Sequence, residues 1–163
     1  MTTTMRAVVL DAPGPADNLQ VRDVPIPVAE PGWVLIRIKA FGLNRSELFT
    51  RMGFSGDDVT FPRVLGIEAT GVVASAPGGE FAVGEQVVAM MGGMGRLFDG
   101  GYAEYSCVPA ANVIAFSSDL PWSVLGAVPE MIQTAYGSLT VGVDAQPGES
   151  LLIRGGTSSV GMA

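Results

Sequence analysis

The sequence predicts a mostly β domain with some α structure, a small sandwich or barrel, followed by the opening strand and glycine turn of a second unit. Three observations carry this reading. Short runs rich in Val, Ile and aromatic residues, separated by Gly and Pro, fill the first two thirds. The texture changes at Pro121 to segments that read as helices led by proline. The apolar run Ser150-Leu151-Leu152-Ile153-Arg154 then precedes Gly155-Gly156-Thr157-Ser158-Ser159-Val160-Gly161. A chain of 163 residues has room for one domain with its own core and the start of another, with expected boundaries of 1–125 and 126–163.

Strands are expected over Arg6 to Leu10, Leu19 to Val24, Trp33 to Ala40, Ala69 to Ala76, Gln86 to Met91 and Gly101 to Val108. Several alternate, as in Val34-Leu35-Ile36-Arg37-Ile38-Lys39, which is the pattern of a half-buried strand. Pro25, Pro27, Pro31-Gly32, Pro77-Gly78-Gly79 and Phe81-Ala82-Val83-Gly84 punctuate them. Asn44-Arg45-Ser46-Glu47 is close to a capping box, a cap residue followed three positions later by Glu, and predicts a short helix of about two turns. Helices are expected again over Pro121 to Val128 and Pro129 to Val141, then a turn at Ala145 to Glu149 and a buried strand over Ser150 to Arg154.

Composition excludes several function classes. Nine Lys and Arg against sixteen Asp and Glu give a formal net charge of -7, and no basic cluster offers the footprint of nucleic-acid binding. No histidine is present, so a Ser-His-Asp triad, a Cys-His pair and a His-ligated metal site are all excluded within the chain. The single cysteine, Cys107, cannot form an internal disulfide and reads as a half-buried strand residue. No apolar run approaches the roughly 18 to 20 residues that span a bilayer, and Met1 to Arg6 lacks a leader pattern. A soluble cytoplasmic protein that binds neither membrane nor nucleic acid is the expectation.

Four segments then carry a resemblance: Gly42-Leu43-Asn44-Arg45-Ser46-Glu47, Pro62 to Gly71, Gly100-Gly101-Tyr102-Ala103-Glu104-Tyr105 with Val108-Pro109, and Gly155 to Gly161. In this order and spacing the chain resembles the N-terminal half of a medium-chain dehydrogenase/reductase, in the zinc-independent quinone oxidoreductase branch. The resemblance implies a GroES-like, partly open β-barrel that holds substrate, followed by the first strand and phosphate-binding turn of a truncated Rossmann domain. It implies hydride transfer from NADPH, with NADH still open, to a quinone, enone or similar conjugated carbonyl. The activity would belong to a complete, homo-oligomeric protein, and the 163-residue chain alone would be inactive. Zinc-dependent relatives place a cysteine where Asn44 stands, a histidine where Ile67 stands and a four-cysteine lobe after Met91. Met90-Met91-Gly92-Gly93-Met94-Gly95-Arg96 holds no thiolate, so no zinc is expected.

The same resemblance nominates residues. Asn44 and Glu68 are the candidates for catalytic roles, Asn44 facing substrate and the nicotinamide ribose or only capping a helix. Arg45 is a candidate for a cofactor phosphate or an anionic substrate, although the solvated face of the short helix is the favoured reading of Arg45, Glu47 and Arg51. Glu68, between Ile67 and Ala69, should be partly buried and in need of a partner such as Arg63 or Arg154. Thr134 matches a helical threonine on the nicotinamide side of relatives, or simply bonds back to the preceding turn. Tyr102 and Tyr105 read as packing residues. Gly155, Gly156, Thr157, Ser158, Ser159, Val160 and Gly161 form the candidate cofactor turn, with Ser158 in place of the usual middle glycine. Two other readings stand beside the quinone reductase: an enoyl-thioester reductase, and a non-catalytic GroES-like binding or assembly module.

Overall fold

Residues 3–163 are described by the computed structural model. Strand β1 (Thr4–Leu10) pairs antiparallel with β2 (Leu19–Pro25) from Thr4 opposite Pro25 to Leu10 opposite Leu19, and with β4 (Arg63–Val64) on its other side. The larger sheet runs in the order β7 (Tyr105–Pro109), β3 (Trp33–Ala40), β5 (Glu68–Ser75), β6 (Gln86–Met90), β8 (Val113–Ala115), antiparallel throughout. Two register shifts between β3 and β5, at Leu35/Ile36 and Ile38/Ala40, are the irregularities that let a sheet bend sharply. Residues 102–104 stitch the two sheets together: Val8 N–H donates to Tyr102 O at 2.8 Å and Ile38 N–H to Glu104 O at 2.9 Å. The result is a mostly β, curled half-barrel, the architecture that the resemblance implies.

The strand pattern explains the core. Val34 and Ile36 of β3 point inward with Ala69, Val73, Val87, Ala89 and Val108, while Arg37 points to solvent. Met94 is 1% exposed and fills the same core, so the 91–99 loop contributes its thioether as packing. A second cluster, Ala7, Val9, Leu10, Val64, Leu65 and Tyr102, lies under the smaller sheet.

Among the described residues four α-helices complete the fold: α1 (Arg45–Met52), α2 (Trp122–Leu125), α3 (Pro129–Gly137) and α4 (Ser159–Met162), with a π turn at Ser138–Gly142 extending α3. Helix α1 stops at Gly53, whose φ of 82° takes the left-handed conformation that ends helices. Phe54 N–H then returns to Phe49 O at 2.9 Å.

Three expectations change in the structure. The expected strand from Gly101 begins only at Tyr105. Gly100 and Gly101 are pressed onto backbone, and a Cβ on either would lie 2.1 Å from the Gly66 or Glu68 carbonyl oxygen. Strands β4 and β8, of two and three residues, are too short to carry a periodic signal. The expected strand over Ser150 to Arg154 is irregular, with no strand pairing among the described residues. A strand is held by the ladder of its neighbours, and here Leu152 is 92% exposed.

Candidate functional site

The site is built where the start of α1, the start of β5 and the start of α3 converge. Asn44 caps α1 in an extended conformation. The Glu47 carboxylate accepts from Asn44 N–H at 3.0 Å, which is one half of the capping box that the sequence pattern anticipates. The Asn44 side chain also reaches sideways, and Nδ2 donates to Glu68 Oε1 at 2.8 Å.

Glu68 is 3% exposed, and its partners are amides. Oε1 takes Asn44, and Oε2 accepts from the backbone N–H of Glu130 in the first turn of α3 at 2.9 Å. The arginines expected beside it are elsewhere. Arg63 pairs with Asp99 at 3.0 Å and donates to Thr60 Oγ1 at 2.7 Å, while Arg154 is exposed. Neutral donors prevail because the start of a helix presents N–H groups that no residue within the helix can satisfy. Burial raises the Glu68 carboxyl above its usual range, with the Glu130 charge adding to that rise and the two N–H donors opposing it.

Glu47 departs from the solvated-face reading. It is 5% exposed, and its Oε1 accepts from Ile67 N–H at 3.0 Å while Oε2 holds Asn44 N–H. Burial raises this carboxyl as well. Tyr102, packed with its ring 5.0 Å from Phe41, has its phenol pushed well above the ordinary range, by burial first and then by the charges of Glu47 and Glu68. Two carboxylates and a phenol are thus gathered beneath Asn44. Capping predicted one bond of Glu47; the second comes from Ile67, twenty residues away, and no local pattern announces it.

The other nominated residues are distributed around this point. Arg45 is exposed, with its guanidinium 5.5 Å from the Phe49 ring centre. Arg51 hydrogen-bonds Gly14 O. Thr134 donates from Oγ1 to Glu130 Oε1 at 2.7 Å, to a side chain of the preceding turn rather than to its carbonyl. Arg96, which sequence reasoning did not nominate, donates to Ser46 Oγ at 2.9 Å and pairs with no carboxylate among the described residues. Beside α3 an apolar groove of about 740 Å³ is lined by Met90, Ile114, Phe116, Val128, Ile132 and Tyr136.

The Gly155 to Gly161 turn closes on itself. Gly155 has φ of 82°, and a Cβ on Gly161 would lie 2.3 Å from Gly155 O, so both glycines are required by the turn. Ser158 Oγ donates to Gly155 O at 2.9 Å and accepts from Gly161 N–H at 3.1 Å. Its one hydroxyl proton therefore serves the turn in this conformation. Among the described residues, no three His, Cys, Asp or Glu side chains gather into a group able to hold a metal ion.

Comparison with known proteins adds family context to this geometry. Residues 30–118 match the family model of the alcohol dehydrogenase GroES-like domain. The chain is 31% identical over 165 residues to a quinone oxidoreductase of Lama guanicoe, a match covering 98% of this chain and 48% of that protein. It is 34% identical over 137 residues to a lovastatin diketide synthase of Monascus pilosus, covering 80% of this chain and 5% of the synthase. The structure of the quinone oxidoreductase from Coxiella burnetii superposes with a TM-score of 0.86 at 25% identity, over 98% of this chain and 51% of that one. The chain therefore spans about half the length of the quinone oxidoreductases it matches.

Proposed function

The chain belongs to the alcohol dehydrogenase GroES-like family of the medium-chain dehydrogenase/reductases, and from that premise we propose that it forms the substrate side of a zinc-independent NADPH-dependent reductase. Its acceptors would be quinones, enones and related conjugated carbonyls. Residues 1–125 would form the substrate domain and 126–163 the start of the nucleotide-binding domain.

The observation that carries the zinc-free reading is the donor set. Where zinc-dependent relatives offer a thiolate and an imidazole, this chain has Asn44 and the apolar Ile67, and both oxygens of the neighbouring Glu68 already accept N–H bonds. A neutral amide and an alkyl group do not make a Zn²⁺ site. Acceptors that need only hydrogen-bond help are then favoured, because charge developing on a conjugated oxygen can be met by oriented dipoles.

The nicotinamide dinucleotide supplies the hydride when bound, and the protein supplies binding and orientation. Asn44 and Thr134 would meet its nicotinamide end, Arg45 a phosphate, and the turn of Gly155, Gly156, Thr157, Ser158, Ser159, Val160 and Gly161 the pyrophosphate. The closed turn, in which Gly155 takes a positive φ and a Cβ on Gly161 would strike the Gly155 carbonyl, suits a close approach of backbone to phosphate.

Metal analysis of the purified full-length protein, paired with NADPH oxidation by 1,4-benzoquinone, tests the reading. Substoichiometric zinc and turnover unaffected by a chelator are expected; one tightly held zinc per chain would overturn it. The similarity to a diketide synthase favours an enoyl-thioester acceptor as a second reading. Faster turnover of crotonyl thioester than of benzoquinone would select it.

A further inference from the structure

A side-chain amide is asymmetric, a donor at one end and an acceptor at the other, so its orientation decides what it offers a ligand. At Asn44, Nδ2 donates to Glu68 Oε1 at 2.8 Å, which directs the carbonyl oxygen away from that carboxylate. Turning the amide over would oppose carbonyl to carboxylate, replacing an attraction by a repulsion. The other Glu68 oxygen accepts from Glu130 N–H at 2.9 Å, and Glu130 in turn accepts from Thr134 Oγ1 at 2.7 Å. No Lys or Arg pairs with Glu68 among the described residues. Gly42 makes the arrangement sterically feasible, since a Cβ there would lie 2.2 Å from Glu68 Oε1.

We infer that Glu68 is the positioning residue of this site: its carboxylate fixes the Asn44 amide with the carbonyl oxygen as the ligand-facing acceptor, and ties it to the start of the helix that carries Thr134. The inference rests on the proposal that Asn44 contacts nicotinamide or substrate. Glu68 acts through Asn44 and α3, and touches neither ligand.

The test is a polarity swap in the full-length protein, read as kcat/KM for benzoquinone and as the NADPH dissociation constant. In Glu68→Gln one amide cannot accept both N–H groups, and kcat/KM should fall about 10-fold or more. Asn44→Asp sets carboxylate against carboxylate, with a similar loss near pH 7.5 that recovers toward pH 5 as the pair shares a proton. In the Asn44→Asp, Glu68→Gln double variant the polarity is reversed and every group is satisfied. The glutamine oxygen accepts from Glu130 N–H, its nitrogen donates to the aspartate, and an oxygen keeps the acceptor position. Recovery to within about 3-fold of wild type is expected.

Losses that multiply in the double variant, or a Glu68→Gln variant within about 2-fold of wild type, would overturn the inference. A measurement independent of turnover is hydrogen exchange at the Glu130 amide, which should speed about 10-fold or more in Glu68→Ala; unchanged exchange would also overturn it. Failure of the underlying reading looks different. A folded Asn44→Ala variant with wild-type kinetics would remove Asn44 from the ligand contacts, whatever the outcome of the swap.

Discussion

At the scale of single residues, the site is marked by two buried carboxylates, Glu47 and Glu68, that pair with no cation among the described residues. Glu47 and Glu68 both have carboxyls raised above their ordinary value of 4.5 by burial. A carboxyl that holds its proton more tightly in the folded state binds more protons there than in the unfolded chain, so stability falls as pH rises. The contribution of each is full below pH 4.5 and is lost as pH climbs through the raised value. Thermal midpoints measured from pH 4.5 upward should therefore decline, and Glu68→Gln should flatten that decline. An identical slope in the variant would show that Glu68 is not the titrating group. Glu47→Ala would leave the N–H groups of Asn44 and Ile67 unpaired, at about 1–3 kcal/mol each, read by denaturant unfolding. Asn44 as a cap was visible in the sequence because capping is local. Its bond to Glu68, 24 positions away, was not, since nothing in either segment specifies that they meet.

At the scale of elements, alternation and punctuation mark the longer pieces well. Strand β3 and helix α1 form where pattern and capping place them, whereas β4 and β8 escape because they are shorter than any period they could display. Burial then ranks positions that composition treats alike. Ile36 in the central β3 is 0% exposed and Ile114 on the edge strand β8 is 58% exposed. Ile36→Ala should cost about 2–5 kcal/mol, and Ile114→Ala should stay within about 0.5 kcal/mol, both by urea denaturation. Helix α1 offers a sharper test at its end. Gly53 adopts φ of 82° with a would-be Cβ 3.2 Å from Pro13 Cβ, so Gly53→Ala should lower stability by about 1 kcal/mol or more. A neutral result would mean that the helix end relaxes into another conformation.

At the scale of the whole molecule, the two sheets are joined by a short irregular segment, and the site lies where three elements begin. Glycines make that convergence compact: a Cβ on Gly126 would lie 2.4 Å from the Ala40 Cβ. Gly126→Ala should therefore push α2 away from β3 and lower the thermal midpoint by several degrees, about 1–3 kcal/mol of overpacking. Apolar side chains remain open to solvent along α3 and beyond it, with Tyr136 at 68% and Leu152 at 92% exposed. No helix among the described residues is long and apolar enough to cross a membrane. By itself the sequence determined the β-rich class, the cap at Asn44, the exclusion of histidine chemistry and the family resemblance, because each rests on residue identity or short-range spacing. Only the tertiary structure decided that Glu47 is buried, that Glu68 is satisfied by amides rather than by arginine, and that residues 150–154 do not pair as a strand. Each of these depends on which distant backbone donors come within about 3 Å, a matter of chain path that local pattern does not encode.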